Sequence, residues 1–374
     1  MRIRALTPIA IRLPLTKPIR MAGVTIARAE NLLVRVEADD GTVGWGEAAS
    51  APSMTGETAP GMYAAIDYMR GHLEGSDIED PEAFARRLSG MIYGNAAARS
   101  AIDMAVHDLL AKRRGVPLAE LLGGIRRPRT PVLWMLAAGR LDADIAEARV
   151  KAGEGFLAYK VKVGVKAPDA GYARDLERAG EIRRALGGEV RISADANGGY
   201  GREEAIAFAC GARAAGLDFF EQPVGGDDLE AMQAVVDSTD IPIGADEGIH
   251  SIRDLERHHE MKAAHGGSLK ILKLGGLREV MKAGARAETL GMQVNLAGKT
   301  AESSIASAAV AHLAATLPQV NWDVSVTNQY LAADIVRNPV RIRDGHILPP
   351  EGPGLGIEVD EDLVGRFAYR PLAG

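Results

Sequence analysis

The segment AYKVKVG (158–164) has the alternating pattern of a β-strand, and similar short apolar segments recur along the chain. Because successive side chains on a strand point to opposite faces, Lys160 and Lys162 share one face and their apolar neighbours the other. Two ammonium groups on one face of a buried strand cost free energy unless neighbouring groups use their charge. The segment therefore predicts a buried strand and a site that uses both lysines.

The strand belongs to a series that starts near residue 130, in which short apolar segments alternate with helical ones. The eight segments that we interpret as strands are PVLWMLAAG (131–139), AYKVKVG (158–164), VRISADAN (190–197), LDFFEQP (217–223), IPIGADEG (241–248), SLKILKLGG (268–276), MQVNLAG (292–298) and NWDVSVT (321–327). A repeat of roughly 25–30 residues is typical of a (β/α)₈ barrel. The alternative is a doubly wound open sheet, but LAAGRLDAD after the first strand is not a glycine-rich phosphate loop.

The segments that flank this series have other patterns. Residues 1 to about 50 alternate as antiparallel strands with a hairpin turn at DDG, and residues 59–122 follow a helical period that Gly115 interrupts. The C-terminal segment returns to extended structure and is expected to pack on the N-terminal part. We predict an α/β chain with three parts, which are an α+β capping domain (1–125), a modified TIM (β/α)₇₋₈ barrel that carries the site (126–335) and a C-terminal segment that completes the capping domain (336–374).

The composition limits the class of protein. The chain has 374 residues, 47% hydrophobic and 25% charged, as in ordinary globular proteins, and its net charge of −6 argues against a nucleic-acid partner. One cysteine, Cys210, excludes a disulfide framework and a cysteine-rich zinc site, and its helical setting predicts a buried side chain. The sequence shows neither a signal-peptide pattern nor a membrane span, so we expect a cytoplasmic protein.

Charged residues recur at the carboxyl ends of successive predicted strands. The series consists of Lys160 and Lys162, then Asp195, Glu221, Asp246 and Lys270. The acids are 26 and 25 residues apart and the last lysine follows after 24, so each step is one β/α unit. Side chains in these positions meet at one mouth of a barrel, where active sites lie.

The three acids predict a metal site. Carboxylates that converge in an apolar mouth stay ionised only beside a cation. Oxygen ligands without histidine or cysteine suit Mg²⁺, or else Mn²⁺, better than zinc. The predicted metal ligands are Asp195, Glu221 and Asp246.

The lysines would stand on opposite faces of a bound substrate. We assign Lys162 as the base on one face, with Lys160 beside it to lower its pKa, and Lys270 as the acid or base on the other. This arrangement suits removal of a proton next to a carboxylate, because a divalent cation can stabilise the resulting enediolate.

Several motifs resemble the enolase superfamily, specifically its muconate-lactonizing-enzyme branch. They are GTVGWGEA and SAIDMAVHDLLAKRRGVPLAELLGG before the barrel, KVKVG, DANGGY, EQP, DE and LKILKLGG within it, and PEGPGLGIEVD after it. The resemblance covers nearly the whole chain and implies the same metal ligands and the same acid/base lysines. It also implies that Asn197 and Glu247 lie in the outer shell of the metal, whereas Lys273, with the wrong strand parity, would be peripheral.

The mandelate-racemase branch is the less similar one. It uses a histidine on the seventh barrel strand, and MQVNLAGKT contains none. His312 lies in SAAVAHLAA, which has the pattern of a helix interior and predicts a packing residue.

Loops of the capping domain and the last barrel strands would select the substrate. The candidate loops are residues 14–26, with Lys17, Arg20 and Met21, and residues 50–58. Lys299 could pair with a second anionic group of the substrate, cap a helix or face water. Asp323 on the eighth strand could meet an ammonium or imino group, although that strand lacks the Asp-x-Asp pattern of dipeptide epimerases.

The favoured reaction is racemisation or epimerisation of an amino-acid or proline derivative. The alternatives are dehydration of a hydroxylated amino or imino acid, such as a 3-hydroxyproline, and cycloisomerisation of a muconate-type acid. Two rivals from other classes are a barrel lyase that forms a Schiff base on Lys160 or Lys162 and a non-catalytic binding protein. We expect a small carboxylate ligand and a homo-oligomer, without a nucleic-acid or membrane partner.

Overall fold

The N-terminal part of the chain is an antiparallel sheet covered by helices. The computed structural model describes residues 1–21, 24–166 and 171–371, and the side chains of Arg20, Met21 and Val24 lie outside the described part, as do the predictions made for the first two. The N-terminal elements are β1 (Ile3–Met21), β2 (Val24–Ala38), β3 (Val43–Ala49), α1 (Ala59–Leu73), α2 (Pro81–Met91), α3 (Ala96–Arg114), α4 (Leu118–Leu121) and β4 (Thr130–Pro131).

The sheet has the order β1-β2-β3, and α3 lies directly on β3. The predicted hairpin at DDG joins β2 to β3. A Cβ at Gly44 or Gly46 would lie 2.1 or 1.9 Å from a carbonyl oxygen of α3, so only glycine allows this close approach. The helix ends at Gly115, whose φ of 67° gives the left-handed cap expected of a glycine in this position.

Eight parallel strands form the barrel, and their sheet order follows the chain. They are β5 (Leu133–Leu136), β6 (Ala158–Lys162), β7 (Arg191–Asp195), β8 (Phe219–Glu221), β9 (Ile243–Ala245), β10 (Gly266–Leu269), β11 (Gln293–Ala297) and β12 (Val324–Ser325). A parallel bridge between Val132 and Val324 brings the first and last strands together and nearly closes the sheet. The predicted modified TIM barrel with an N-terminal antiparallel sheet is confirmed.

Helices connect the barrel strands along the chain. They are α5 (Leu141–Gly153), α6 (Tyr172–Leu186), α7 (Arg202–Ala212), α8 (Leu229–Asp237), α9 (Ile252–Glu260), α10 (Ile271–Leu274), α11 (Leu277–Leu290) and α12 (Ser304–Thr316). As predicted, His312 is a packing residue, with its ring nitrogens 3.2 Å from the Ala119 amide and 3.2 Å from the Leu355 carbonyl. The prediction for Cys210 is wrong, because its side chain is exposed at the end of α7.

The sixth predicted strand is shorter than its sequence indicated. Segment 268–276 leaves the sheet after Leu269, and ILKL forms the short helix α10 instead. Gly275 ends this helix with a φ of 87°. Leu272 on α10 packs into the core of the N-terminal part, so the turn joins the barrel to the capping sheet.

The C-terminal segment contacts the N-terminal part. It contains β13 (His346–Ile347) and α13 (Glu361–Phe367), and the 3₁₀ turn Asn328–Tyr330 precedes it. Strand β13 pairs with β4, and the Leu355 amide donates to Asp108 on α3 at 2.8 Å. Within the described residues, no helix combines the length and apolar character needed to cross a membrane.

Candidate active site

A cavity of about 310 Å³ opens at the carboxyl ends of the barrel strands. Charged residues that follow the strands lie on its inner side, and a loop of the N-terminal part contributes Ser53 and Met54. We use the name charged cluster for the group Lys160, Lys162, Asp195, Glu221, Asp246, Lys270 and Lys273. All seven side chains are buried, so their charges have to be balanced locally.

Strands β6, β7 and β8 place one half of the charged cluster. Their register aligns Lys162 with Asp195 and Asp195 with Glu221, so the three residues lie at one level. Lys162 Nζ is 2.5 Å from Asp195 Oδ2 and donates to Asn197 Oδ1 at 2.8 Å. Lys160 forms an ion pair with Glu221 and also lies 3.9 Å from Asp195.

The other half of the charged cluster is built around Asp246, directly after β9. Lys270 Nζ is 2.5 Å from Asp246 Oδ2, and Lys273 Nζ is 2.6 Å from Oδ1. The Lys273 ammonium also donates to the carbonyl oxygens of Asp246 and Ser268. The prediction that Lys273 is peripheral is therefore wrong. It assumed a strand through residue 276, whereas α10 turns the side chain under Asp246.

The opposite charges in the cluster shift the pKa values of its lysines and carboxylates. Burial would lower the pKa of Lys160, but Glu221 and Asp195 raise it above its usual value. Burial likewise opposes the charge of Lys270, yet Asp246 in particular raises the pKa of that lysine. Burial alone would raise the pKa of Asp246, but the ammonium groups of Lys270 and Lys273 hold that pKa far below the usual range. The cluster is therefore a set of ion pairs.

Asn197 and Glu247 stand beside the cluster, both on the cavity wall. The side chain of Asn197 donates from Nδ2 to Glu247 Oε1 at 2.9 Å, and the backbone amide of Asn197 donates to Asp195 Oδ1 at 2.9 Å. Glu247 Oε2 is buried without a hydrogen-bond partner in the described part of the chain. Burial, helped by the negative charges of Asp246 and Asp195, raises the pKa of Glu247 to about 7.

The donor set has the chemistry of a site for a hard cation, because it consists of carboxylate oxygens and includes the unpartnered Glu247 Oε2. The carboxylates of the charged cluster lie beside lysine ammonium groups, which supply the positive charge in the cluster. Over residues 1–21, 24–166 and 171–371, no three acidic, histidine or cysteine side chains come together closely enough to enclose a metal ion.

The second candidate loop, residues 50–58, reaches the cavity. Met54 Sδ lies 3.7 Å from Lys270 Nζ, and the ring of His250 donates to the Met54 carbonyl at 2.8 Å. Glu57 accepts hydrogen bonds from the backbone amides of Ala97 and Ala98 in the first turn of α3, at 2.8 and 3.0 Å. The loop is thus attached both to the barrel and to the capping helix. No sequence signal distinguished Met54 from the rest of this loop.

The other substrate candidates lie in different places. Lys299 is buried and lines the cavity. Lys17 in the first loop forms an ion pair with Glu147 on α5 at 2.6 Å. The prediction for Asp323 is wrong, because this residue precedes β12 at the amino end of the barrel, where it pairs with Arg191 at 2.7 Å.

Comparisons with known proteins agree with this geometry. Residues 6–123 match the N-terminal domain of mandelate racemase and muconate lactonizing enzyme, and residues 143–363 match the enolase C-terminal domain-like family. The chain belongs to the enolase superfamily. It falls in the muconate-lactonizing-enzyme branch and is an enzyme of that branch, as the motifs predict.

Relatives in this superfamily align over nearly their full length. The chain is 35% identical to L-Ala-D/L-Glu epimerase of Clostridium acetobutylicum, over 93% of this chain and 96% of the relative. It is 31% identical to a chloromuconate cycloisomerase of Pseudomonas putida, over 98% and 99%. The crystal structure of N-succinyl Arg/Lys racemase from Bacillus cereus superimposes with a TM-score of 0.93, at 28% identity over 99% of both chains. The superfamily chemistry of proton abstraction from small carboxylates is shared by racemases, epimerases and cycloisomerases.

Proposed function

We propose that the protein moves a proton at the carbon next to a carboxylate, and that it racemises or epimerises an amino-acid or proline derivative. The observation that carries the proposal is the placement of Lys162 and Lys270. Both line the same cavity, but one ends β6 and the other follows β10, four positions further around an eight-stranded barrel. They therefore approach a bound substrate from opposite sides.

Two lysines on opposite sides suit inversion. One amine removes the proton from one face while the opposing ammonium delivers a proton to the other face. Asp195 and Asn197 orient Lys162, and Asp246 orients Lys270, so both nitrogens are fixed before a substrate enters. Lys160, paired with Glu221 next to Lys162, adds positive charge where the substrate carboxylate would lie.

Asp195, Glu221 and Asp246 would hold the divalent cation, which we propose is Mg²⁺ as in the superfamily generally. When bound, it would stabilise the negative charge that develops on the substrate carboxylate. The carboxylates also pair with the ammonium groups of Lys160 and Lys270 and raise the pKa of both lysines.

Cycloisomerisation is the second candidate, and the 31% identity to a chloromuconate cycloisomerase supports it. The same lysines and the same enediolate serve both reactions, so the substrate decides between them. Dehydration of a hydroxylated acid stays a third prediction. A Schiff base on Lys160 is disfavoured, because it needs a neutral amine and the carboxylates raise the pKa of this lysine.

Proton NMR in D₂O tests the proposal. The protein with Mg²⁺ would be incubated with N-acyl amino acids, dipeptides, proline derivatives and muconate-type acids. Loss of the α-proton signal with inversion is expected for a racemase or epimerase, and new vinyl or lactone signals would identify the alternatives. A chelator should stop the reaction.

Variants of single lysines test whether inversion depends on Lys162 and Lys270. Lys162→Ala and Lys270→Ala should each abolish inversion, while Lys282→Ala, an exposed lysine on α11, should retain it. Inversion that persists in both cavity variants, or that proceeds equally in chelator, would overturn the proposal.

A further inference from the structure

Gln222 directly follows β8, and its backbone has an unusual conformation. Its φ of 38° lies in the left-handed region, which residues other than glycine seldom adopt. Such a conformation costs free energy and persists where surrounding contacts stabilise it. The side chain is completely buried, so it acts on neighbouring residues rather than on a substrate.

The backbone of Gln222 connects three neighbouring strand ends. Its amide donates to the Gly244 carbonyl on β9 at 2.8 Å, and its carbonyl accepts the Gly198 amide, from the loop after β7, at 2.9 Å. The strands β7, β8 and β9 are also those that place the three proposed metal ligands. These hydrogen bonds therefore hold the residue, with its left-handed backbone, between the strand ends that build the metal position.

The side-chain oxygen of Gln222 binds the main chain around the third proposed ligand. Gln222 Oε1 accepts the backbone amide of Asp246 at 2.7 Å and that of Gly248 at 3.2 Å. Neither bond involves the Asp246 carboxylate, which pairs with Lys270 and Lys273 instead. The glutamine can therefore hold the main chain of Asp246 whichever cation the carboxylate binds.

The contacts of the Gln222 side chain require a carboxamide in one orientation. Its Nε2 donates to the Val224 carbonyl at 2.8 Å, whereas its Oε1 receives the two backbone amides. The reverse orientation would place the NH₂ group against two N–H donors and the oxygen against a carbonyl. The Val224 carbonyl therefore determines that the acceptor of Gln222 faces the Asp246 amide.

We propose that Gln222 is a positioning residue for the metal site, and that its Oε1 directs the Asp246 carboxylate by holding the Asp246 and Gly248 amides. The inference rests on the proposed function, in which Asp246 is one of three ligands of a divalent cation. Loss of the acceptor would release the main chain of residues 246–248 and leave the cation with a poorly directed third ligand.

Gln222→Met tests the inference, because it removes both hydrogen-bonding groups from a side chain of similar size. Without metal, hydrogen–deuterium exchange measured by mass spectrometry should be at least about 10-fold faster at residues 246–248, since two of their amides lose their acceptor. Titration with Mn²⁺ followed by EPR should show binding about 10- to 100-fold weaker than in the natural protein. Should this variant not fold, Gln222→Asn, whose side chain is one methylene shorter, should show the same two changes.

Gln319→Met is the matched control. Gln319 donates to the Met292 carbonyl and accepts from Asn321 at the amino end of the barrel, so its loss should alter neither measurement. A folded Gln222 variant with unchanged exchange at residues 246–248, or with Mn²⁺ affinity within about 3-fold of the natural protein, would overturn the inference. Equal losses in Gln319→Met would also overturn it.

The proposed function and the role of Gln222 can fail separately. If the natural protein inverts no substrate but Gln222→Met loses Mn²⁺ affinity as expected, the proposed reaction is rejected and the role of Gln222 is supported. If inversion is found and the affinity is unchanged, the role of Gln222 alone is rejected. A natural protein that binds no Mn²⁺ would overturn the metal site and the inference together.

Discussion

The charged cluster and the wall around Lys299 border the same cavity, but they balance charge in opposite ways. In the cluster, each carboxylate has an ammonium partner, and Asp195 and Asp246 each have two. On the wall, Lys299 has no carboxylate partner in the described part of the chain, and burial lowers its pKa to about 8. A balanced set of charges suits reactive groups that have to be held in fixed positions. An unbalanced buried charge costs stability, and a bound anion would reduce that cost.

The largest effect is expected from breaking the cluster at the two lysines that we propose carry protons. Lys162→Ala and Lys270→Ala should each lower the rate of inversion by about 10²–10⁴-fold, because each removes the proposed proton carrier of one face. Polarimetry, or NMR where the two stereoisomers are diastereomers, measures this. A variant that loses inversion but still exchanges the proton of one enantiomer would identify which face its remaining lysine serves.

Asp246→Asn should be the most destabilising change in the cluster. It leaves Lys270 and Lys273 buried beside a neutral amide, and loss of one partner of a buried pair costs about 3–5 kcal/mol. Urea unfolding without metal would measure the free energy. The double variant Asp246→Asn/Lys273→Met should recover part of the loss. A change below about 1 kcal/mol would show that the pairing is weaker than its geometry indicates.

On the wall, Lys299→Met should instead stabilise the free protein by about 1–3 kcal/mol at pH 7. The folded pKa near 8 lies below the unfolded value of 10.5, so both states are protonated at pH 7 and the cost of the buried charge is fully present. Between about pH 8 and 10.5 only the unfolded state keeps the proton, and the natural protein gains stability as pH rises. The advantage of the variant should therefore vanish by about pH 10.5 in urea unfolding experiments. A constant advantage across this range would exclude the titration of Lys299 as its cause.

The smallest effect is expected at the far end of the barrel. Asp323→Asn weakens the ion pair with Arg191, which is partly exposed, and should change stability by about 1 kcal/mol or less. Steady-state kinetics should give a kcat/KM within about 3-fold of the natural protein, because the residue is outside the cavity. A larger loss would mean that the amino end of the barrel communicates with the cavity.

Sequence patterns predicted the barrel and the position of the acids at the carboxyl ends of its strands because both depend on a regular repeat. Asp195 and Glu221 end two consecutive strands and Asp246 follows the next one, and parallel strands bring their carboxyl ends to one mouth. The predictions failed where a strand is shorter than its apolar run. Lys273 was misjudged by strand parity, although the nearby glycine pair is typical of a helix end.

Asp323 was misplaced for a related reason. The eighth strand contains only Val324 and Ser325, and the φ of 60° at Asp323 redirects the chain just before it. The pattern NWDVSVT predicts a strand but not which of its residues begins it. The sequence also could not show whether Lys299 has a carboxylate partner. Such pairing depends on contacts between residues that are distant in the chain.

The hydrogen bond from His250 to the Met54 carbonyl has a consequence for how substrate range can evolve. Since His250 contacts a main-chain oxygen, residue 54 can change without losing the attachment of its loop. Position 250, about 200 residues later in the barrel, has no such freedom, because its side chain donates the hydrogen bond. Recombination that joins the capping segment of one homologue to the barrel of another would therefore preserve this hydrogen bond between loop and barrel only when the incoming barrel supplies a donor at position 250. Point substitution at residue 54 is the easier route to a new substrate.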